Sequence, residues 1–352
     1  MLSLPHPPDP DFGRLLKAVR REGEPDRVPF IELGVDAEVM EAVLEEPAAS
    51  VAQQVRFWHA LGYDYASIKA VIPWVRRRDT APDTAALPHA QRDWANAHSA
   101  LITCRADFER FRWPRPQDVD YRDVEAAIRL VPEGMGVVGR VSGVLENTMF
   151  TLGFEGLSYL LADDPDLVRD AVDTVGTLIL NVVEALASHE GVGAVFFGED
   201  MGFKTATMLS PAAMRRLIFP WHRRIVAAAH AHGKPILLHA CGNLRTIMDD
   251  ILDCGWDARH SYEDVIQPIT EAKALYGGRI AVLGGIDMDL LGRGSEEAVR
   301  RRVREVIAAC APGGGFALGS GNTVANYVPP RNYLAMLDEG RRRGRYPIGG
   351  ST

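Results

Sequence analysis

Residues 210–242 read SPAAMRRLIFPWHRRIVAAAHAHGKPILLHACG, a helix pattern that runs with almost no linker into a short apolar stretch. Ser210 suits an N-cap, Pro211 the first helical turn, and Gly233 the residue that ends a helix. Pro220 lacks the N–H that a helix interior requires and is expected to kink or divide the helix. The stretch after Gly233 is too short for a helix and apolar on both faces, as a strand buried in a parallel sheet must be.

Similar runs lie on both sides. VPFIEL (28–33), YDYASIKAVI (63–72), GMGVVGRVSG (134–143) and GAVFFGED (193–200) precede it; DARHSYED (257–264), RIAVLGGID (279–287) and GGFALGSG (314–321) follow. With 234–242 they make eight expected strands. Strands alternating with helices imply right-handed crossovers and a parallel sheet, and eight such units close into a (β/α)8 TIM barrel. The prediction is therefore one α/β barrel domain over residues 1–352. Residues 81–116, between the second and third expected strands, exceed what one crossover needs and read as an insertion. Such a segment is either a lid with substrate contacts or a surface elaboration; its Trp94, Phe111 and Trp113 either cover an opening or anchor a small core of their own.

The composition, 47% hydrophobic and 24% charged, is that of a chain with a large core. A net charge of −8 without basic stretches interleaved with aromatics argues against nucleic-acid binding. Four cysteines without a disulfide-type spacing, no secretion signal at the start and no long uninterrupted apolar window lead to the expectation of a cytoplasmic protein outside the membrane.

In a parallel barrel the working residues sit at the C-terminal strand ends. There this chain places Glu199 and Asp200, His239 and Cys241, His260 and Glu263, Asp287, and Ser320 with Asn322. The two-residue period sends His239 and Cys241 to one face, a spacing suited to zinc; a buried cysteine beside a rim histidine is the other reading. Glu199 and Asp200 are adjacent, so only one can face the lumen without distortion. Asp287 either orients a ligand or caps the following helix. Cys310 falls at the opposite barrel end, and His222, His230 and His232 fall on a helix expected to be exposed and are given no chemistry.

The segments DRVPF, GFEGLSYLLADDPDLV, GEDMGFKTATMLSPAAMRRLIFPWHRRIVAAAHAHGKPILLHACGNL, GWDARHSYED, LGGID and APGGGFALGSGNTVANYVPPRNYLAML, in that order, resemble the uroporphyrinogen decarboxylase superfamily, especially its cobalamin-dependent methyltransferase branch. The resemblance implies a (β/α)8 barrel and, at His239 and Cys241, zinc ligands. True decarboxylases of the superfamily carry an arginine-rich segment near the first strand, an aspartate after the second and a histidine between glycines after the last; here only Arg27, Lys69 and Ser320 stand at those places. The methyltransferases complete their site with a cysteine after the last strand, where this chain has Asn322. The resemblance thus implies a zinc-dependent methyltransferase that takes a methyl group from a methylcobalamin-carrying corrinoid protein to a small thiol or other acceptor. Glu199 is then the expected third metal ligand, Asp200, His260 and Asn322 the catalytic groups, and Ser320, Glu263, Asp287 and Tyr327 the substrate contacts. A metal-assisted decarboxylase of a small carboxylic acid and a noncatalytic corrinoid- or tetrapyrrole-binding protein are the alternatives. A homodimer is also expected.

Overall fold

A computed structural model describes residues 6–85, 87 and 91–349. The strands are β1 (Tyr65–Lys69), β2 (Arg78–Pro82), β3 (Gln91–Ala95), β4 (Gly136–Ser142), β5 (Val192–Gly198), β6 (Ile236–His239), β7 (Ala258–His260), β8 (Ala281–Ile286) and β9 (Phe316–Ser320). Seven of them form one parallel sheet in the order β1-β4-β5-β6-β7-β8-β9. Sequential neighbours joined by helices, as in a barrel, are what the apolar runs imply: Ile236, Leu237 and Leu238 of β6 are all fully buried.

The segment 28–33, expected as a first strand, is not a regular strand. Its Ile31 N–H reaches the Leu318 carbonyl at 2.9 Å and Leu318 N–H the Pro29 carbonyl at 2.9 Å, so it pairs with β9 about Phe30. Toward β1 a side chain takes the place of a ladder. The Tyr65 hydroxyl accepts from Glu32 N–H at 2.7 Å and donates to the Glu32 carbonyl at 2.8 Å, and Ser67 Oγ donates to the Leu33 carbonyl at 3.1 Å. The width of the phenol keeps the two backbones apart, which is why no strand pair forms there. Since one segment touches both edge strands, the sheet must curl toward closure.

The helix pattern after β5 is divided as Pro220 requires: Pro211–Leu217 is followed by Phe219–Ala231, with Pro220 in the first turn of the second piece. Ser210 Oγ caps the first by accepting from Ala213 N–H at 3.2 Å, and Gly233 closes the second at φ +68°. His222, on this second helix, is completely buried, contrary to expectation, because its helix turns that side toward β5 and Trp256.

Between β1 and β4 the chain makes the antiparallel β2–β3 hairpin, the helix Arg105–Arg110 and a short 3-10 turn; of the stretch 81–116, residues 86 and 88–90 lie outside the described residues. Phe108 and Phe111 both pack on Trp113, Phe111 edge to face at 4.8 Å between centroids and Phe108 tilted at 5.5 Å, whereas Trp94 stands exposed. The first three anchor their own segment. Among the described residues one helix, Pro165–Ser188, is long and apolar enough to cross a membrane by composition. Its apolar face, including Val168, Val172, Val175 and Ile179, is buried in this fold, and Asp166, Arg169, Asp173 and Glu184 lie on the rest of its surface.

Candidate active site

The C-terminal ends of β5, β6, β7 and β9 bring Asp200, His239, Cys241, His260, Ser320 and Asn322 into one network. His239 Nε2 lies 3.3 Å from Cys241 Sγ and 3.8 Å from an Asp200 oxygen. One ligand atom from each of these three residues lies within 4.8 Å of the others. Tetrahedral bonds of ~2.0–2.3 Å place neighbouring donor atoms roughly 3.3–3.8 Å apart, so the trio has the spacing of a zinc site.

The imidazole tautomers follow from the neighbours. His260 Nε2 is 2.8 Å from the Ser320 carbonyl oxygen, which can only accept, so Nε2 carries the proton. Burial, with the nearby Arg259 guanidinium, brings both His239 and His260 down to about 3, and both rings are neutral at pH 7. His260 Nδ1 is therefore a lone pair, and His239 Nδ1, 2.8 Å away, donates to it. That leaves the His239 Nε2 lone pair facing Cys241 and Asp200, the state a metal ligand needs, with its orientation fixed by the second imidazole. His260 is thus a positioning residue rather than a catalytic one.

The His260 ring must cross β8 to reach β9. It passes over Gly284, at φ +91°, where a Cβ would lie 2.9 Å from the ring and 2.6 Å from the Ser320 carbonyl oxygen. Only glycine leaves this passage open.

The carboxylate beside His239 and Cys241 belongs to Asp200, not to Glu199. Glu199 is completely buried. It accepts from the backbone N–H groups of Val144 at 2.7 Å, Leu145 at 3.1 Å and Glu146 at 2.9 Å, the first turn of the helix Val144–Leu152, and meets His222 Nε2 at 3.1 Å. A carboxylate on a helix N-terminus is held by charge and dipole together, and its lone pairs are committed there. Gly143 makes room: a Cβ would stand 2.4 Å from this carboxyl carbon.

Asn322 takes a different part from a ligand. Its Oδ1 accepts from Thr323 N–H at 2.7 Å, which orients the amide so that Nδ2 donates to Cys241 Sγ at 3.3 Å. Burial and the Asp200 carboxylate push the Cys241 thiol well above its ordinary range. The thiolate therefore needs a cation beside it, and the donor set of imidazole nitrogen, sulfur and carboxylate fits zinc.

Asp287 Oδ1 accepts from Asp289 N–H at 2.8 Å and Oδ2 from Asp264 N–H at 2.9 Å, so it caps the helix Met288–Arg293 and does not line the cavity beside His239 and Asp200. Tyr327 lines a separate surface cavity with Met288 and Arg293, because its loop turns outward past Gly292. Glu263 lies at the rim, close enough to raise the Cys241 thiol further. Ser320 faces inward to Glu32 rather than to the cavity.

Sequence reasoning missed Glu32, Arg140 and Glu146. Glu32 is completely buried, and its Oε1 accepts from Ser320 N–H at 2.9 Å. Ser320 Oγ touches both Glu32 Oε2 and the Asn322 carbonyl oxygen. One hydroxyl proton serves only the carbonyl, so Glu32 supplies the second as a neutral acid; burial, which pushes it up to about 8, agrees. A cavity of about 260 Å³ opens over the site, lined by Lys69, Arg140, Glu146, Asp200, His239 and Asn322 among others. Burial together with Asp200 and Glu199 lifts Glu146 to about 7. A lone acid in an apolar run, as in VPFIEL, was the available signal for Glu32.

The uroporphyrinogen decarboxylase (URO-D) family model matches residues 95–343, and the chain belongs to that family. The uroporphyrinogen decarboxylase of Streptomyces coelicolor is 25% identical over 263 residues, covering 67% of this chain and 66% of that one. That of Syntrophotalea carbinolica is 27% identical over 131 residues, 37% of each chain. The matches thus span just under two thirds of one relative's length and little more than a third of the other's. A methyltransferase structure from Methanosarcina mazei shares the fold with TM-score 0.69 and 16% identity, covering 94% of this chain and 97% of that one.

Proposed function

We propose that this protein is a zinc-dependent methyltransferase that passes a methyl group from a separate corrinoid protein to a small thiol. The observation that carries the reading is the convergence of the His239 Nε2 lone pair, Cys241 Sγ and the Asp200 carboxylate beneath an open cavity. The name of the Methanosarcina neighbour points the same way. His239, Cys241 and Asp200 would hold a zinc ion, whose Lewis acidity would favour the thiolate form of an acceptor thiol.

The chain's own residues do the rest. The Asn322 amide donates to Cys241 Sγ and withdraws charge from it, which leaves more of the positive charge for the incoming thiol. Glu146, lining the cavity with a pKa of about 7, is suited to accept the thiol proton. In the transfer, the acceptor sulfur forms its bond to the methyl carbon as the cobalt–carbon bond breaks, the electron pair staying with cobalt.

The test has two parts. Metal analysis is expected to give one zinc per chain, lost in Cys241→Ala and His239→Ala; equal zinc in wild type and Cys241→Ala would remove the site. With the zinc-loaded protein, free methylcobalamin and a panel of small thiols, cobalamin absorbance should report demethylation and mass spectrometry the methyl thioether. A zinc-replete protein that methylates no thiol would refute the methyltransferase reading and keep the metal site.

A further inference from the structure

Four cations stand at the barrel mouth beside this site: Lys69 and Arg140 at the ends of β1 and β4, Arg76 beyond β1, and Arg78 at the start of the hairpin. Elsewhere many of the chain's arginines meet a carboxylate. Arg14, Arg215, Arg245 and Arg300 all do. Among the described residues none of the four at the mouth makes an ion pair. Arg140 donates to the Leu33 carbonyl at 2.8 Å and leaves a buried Nε without a partner. Arg76 bonds only the Asn147 amide oxygen and lies 4.1 Å over the Phe150 ring. Burial and then the Arg140 guanidinium depress Lys69, with Glu146 acting against them.

A second cavity, of about 270 Å³, lies between the sheet mouth and the hairpin, lined by Lys69, Trp74, Arg76, Arg78, Ala95 and Ser142 among others. Among the described residues no carboxylate lines it, and the indole N–H of Trp74 is buried without an acceptor. Lys69 and Ser142 also line the cavity beside His239 and Asp200, so the two spaces adjoin. Among the described residues Glu146 is the one carboxylate that acts on Lys69 and Arg76, and three cations about one cavity leave positive charge that an anion would offset.

We propose that this second cavity binds an anionic group, a carboxylate or phosphate, with Lys69, Arg76 and Arg78 as its partners. Resting on the reading above, the group would belong to the same molecule whose reactive end meets Cys241, with Lys69 at the junction. The hairpin supplies Arg78 and Ala95 and so forms one wall of the subsite.

The experiment measures equilibrium binding to the zinc-loaded protein, by calorimetry at low ionic strength, of inorganic phosphate and of glutarate as separate probes. It needs neither a methyl donor nor turnover, so it can succeed or fail independently of the methyltransferase reading. One equivalent of at least one probe is expected to bind to wild type, and which probe binds distinguishes phosphate from carboxylate. Lys69→Met and Arg76→Met should each weaken that binding at least 10-fold with zinc content unchanged, and Lys69→Arg should restore it in part. Among the described residues the Lys69 side chain makes no hydrogen bond, so its replacement leaves the fold intact even if Arg76→Met does not. Absence of binding by both probes, or equal affinity in wild type and Lys69→Met, would overturn the proposal.

Discussion

Glu32 shows how much of the site depends on a side chain that never reaches the cavity. As a neutral acid it holds Ser320, whose carbonyl fixes the His260 tautomer and through it that of His239; the Ser320 hydroxyl steadies the Asn322 backbone beside Cys241. Its folded pKa of about 8 lies above the ordinary 4.5, so its contribution to stability is complete below pH ~4.5 and is lost as pH rises through 8. Gln at this position keeps one donor and one acceptor and does not ionise. Glu32→Gln should therefore gain on wild type by several degrees in Tm between pH 5 and pH 9, measured by thermal unfolding; parallel pH profiles would show that Glu32 is ionised in the fold. Residues such as His239 and Cys241 were legible because spacing alone puts them on one face. Glu32, Glu146 and Arg140 were not, since their roles arise from neighbours distant in the chain, and a single acid or arginine in an apolar run carries no period to read.

At the scale of elements, the strand ends decide which of two adjacent carboxylates does chemistry. The sequence showed that Glu199 and Asp200 could not both point inward, but not which one did, because the choice is made by the N-terminus of the helix Val144–Leu152 packed from outside. Glu199→Gln removes a charge from three backbone N–H groups and should cost ~2–4 kcal/mol of stability with metal still bound. Asp200→Asn should leave Tm near wild type and weaken zinc at least 10-fold. Denaturant unfolding and competitive metal titration measure the two effects; the reverse pattern would return the ligand role to Glu199. Gly284→Ala is expected to be worse than an ordinary surface change, since the new methyl strikes both His260 and the Ser320 carbonyl at a positive φ. A loss of ~2 kcal/mol or more together with lowered zinc affinity is the expected outcome. Seven of eight expected strands were legible from their apolar runs. The segment 28–33 was misread because its apolar character reflects burial on β9 alone, with the Tyr65 hydroxyl in place of the second partner.

Over the whole molecule, the parallel order β1 to β9 gathers the reactive groups at one mouth, as barrel topology requires. The same mouth brings together Lys69, Arg76, Arg78 and Arg140, none of them in an ion pair among the described residues, and this carries the proposal of an anionic ligand there. No composition value could show this, because the cations are scattered from Lys69 to Arg140 and meet only when β1 and β4 pair. Function was legible to the level of family. The account rests most heavily on the claim that Cys241, His239 and Asp200 together hold zinc. Zinc K-edge X-ray absorption of the loaded protein tests it directly. One sulfur scatterer at ~2.3 Å with nitrogen and oxygen at ~2.0–2.2 Å is expected, the sulfur shell vanishing in Cys241→Ser. A spectrum with only nitrogen and oxygen around zinc in the wild type would contradict it.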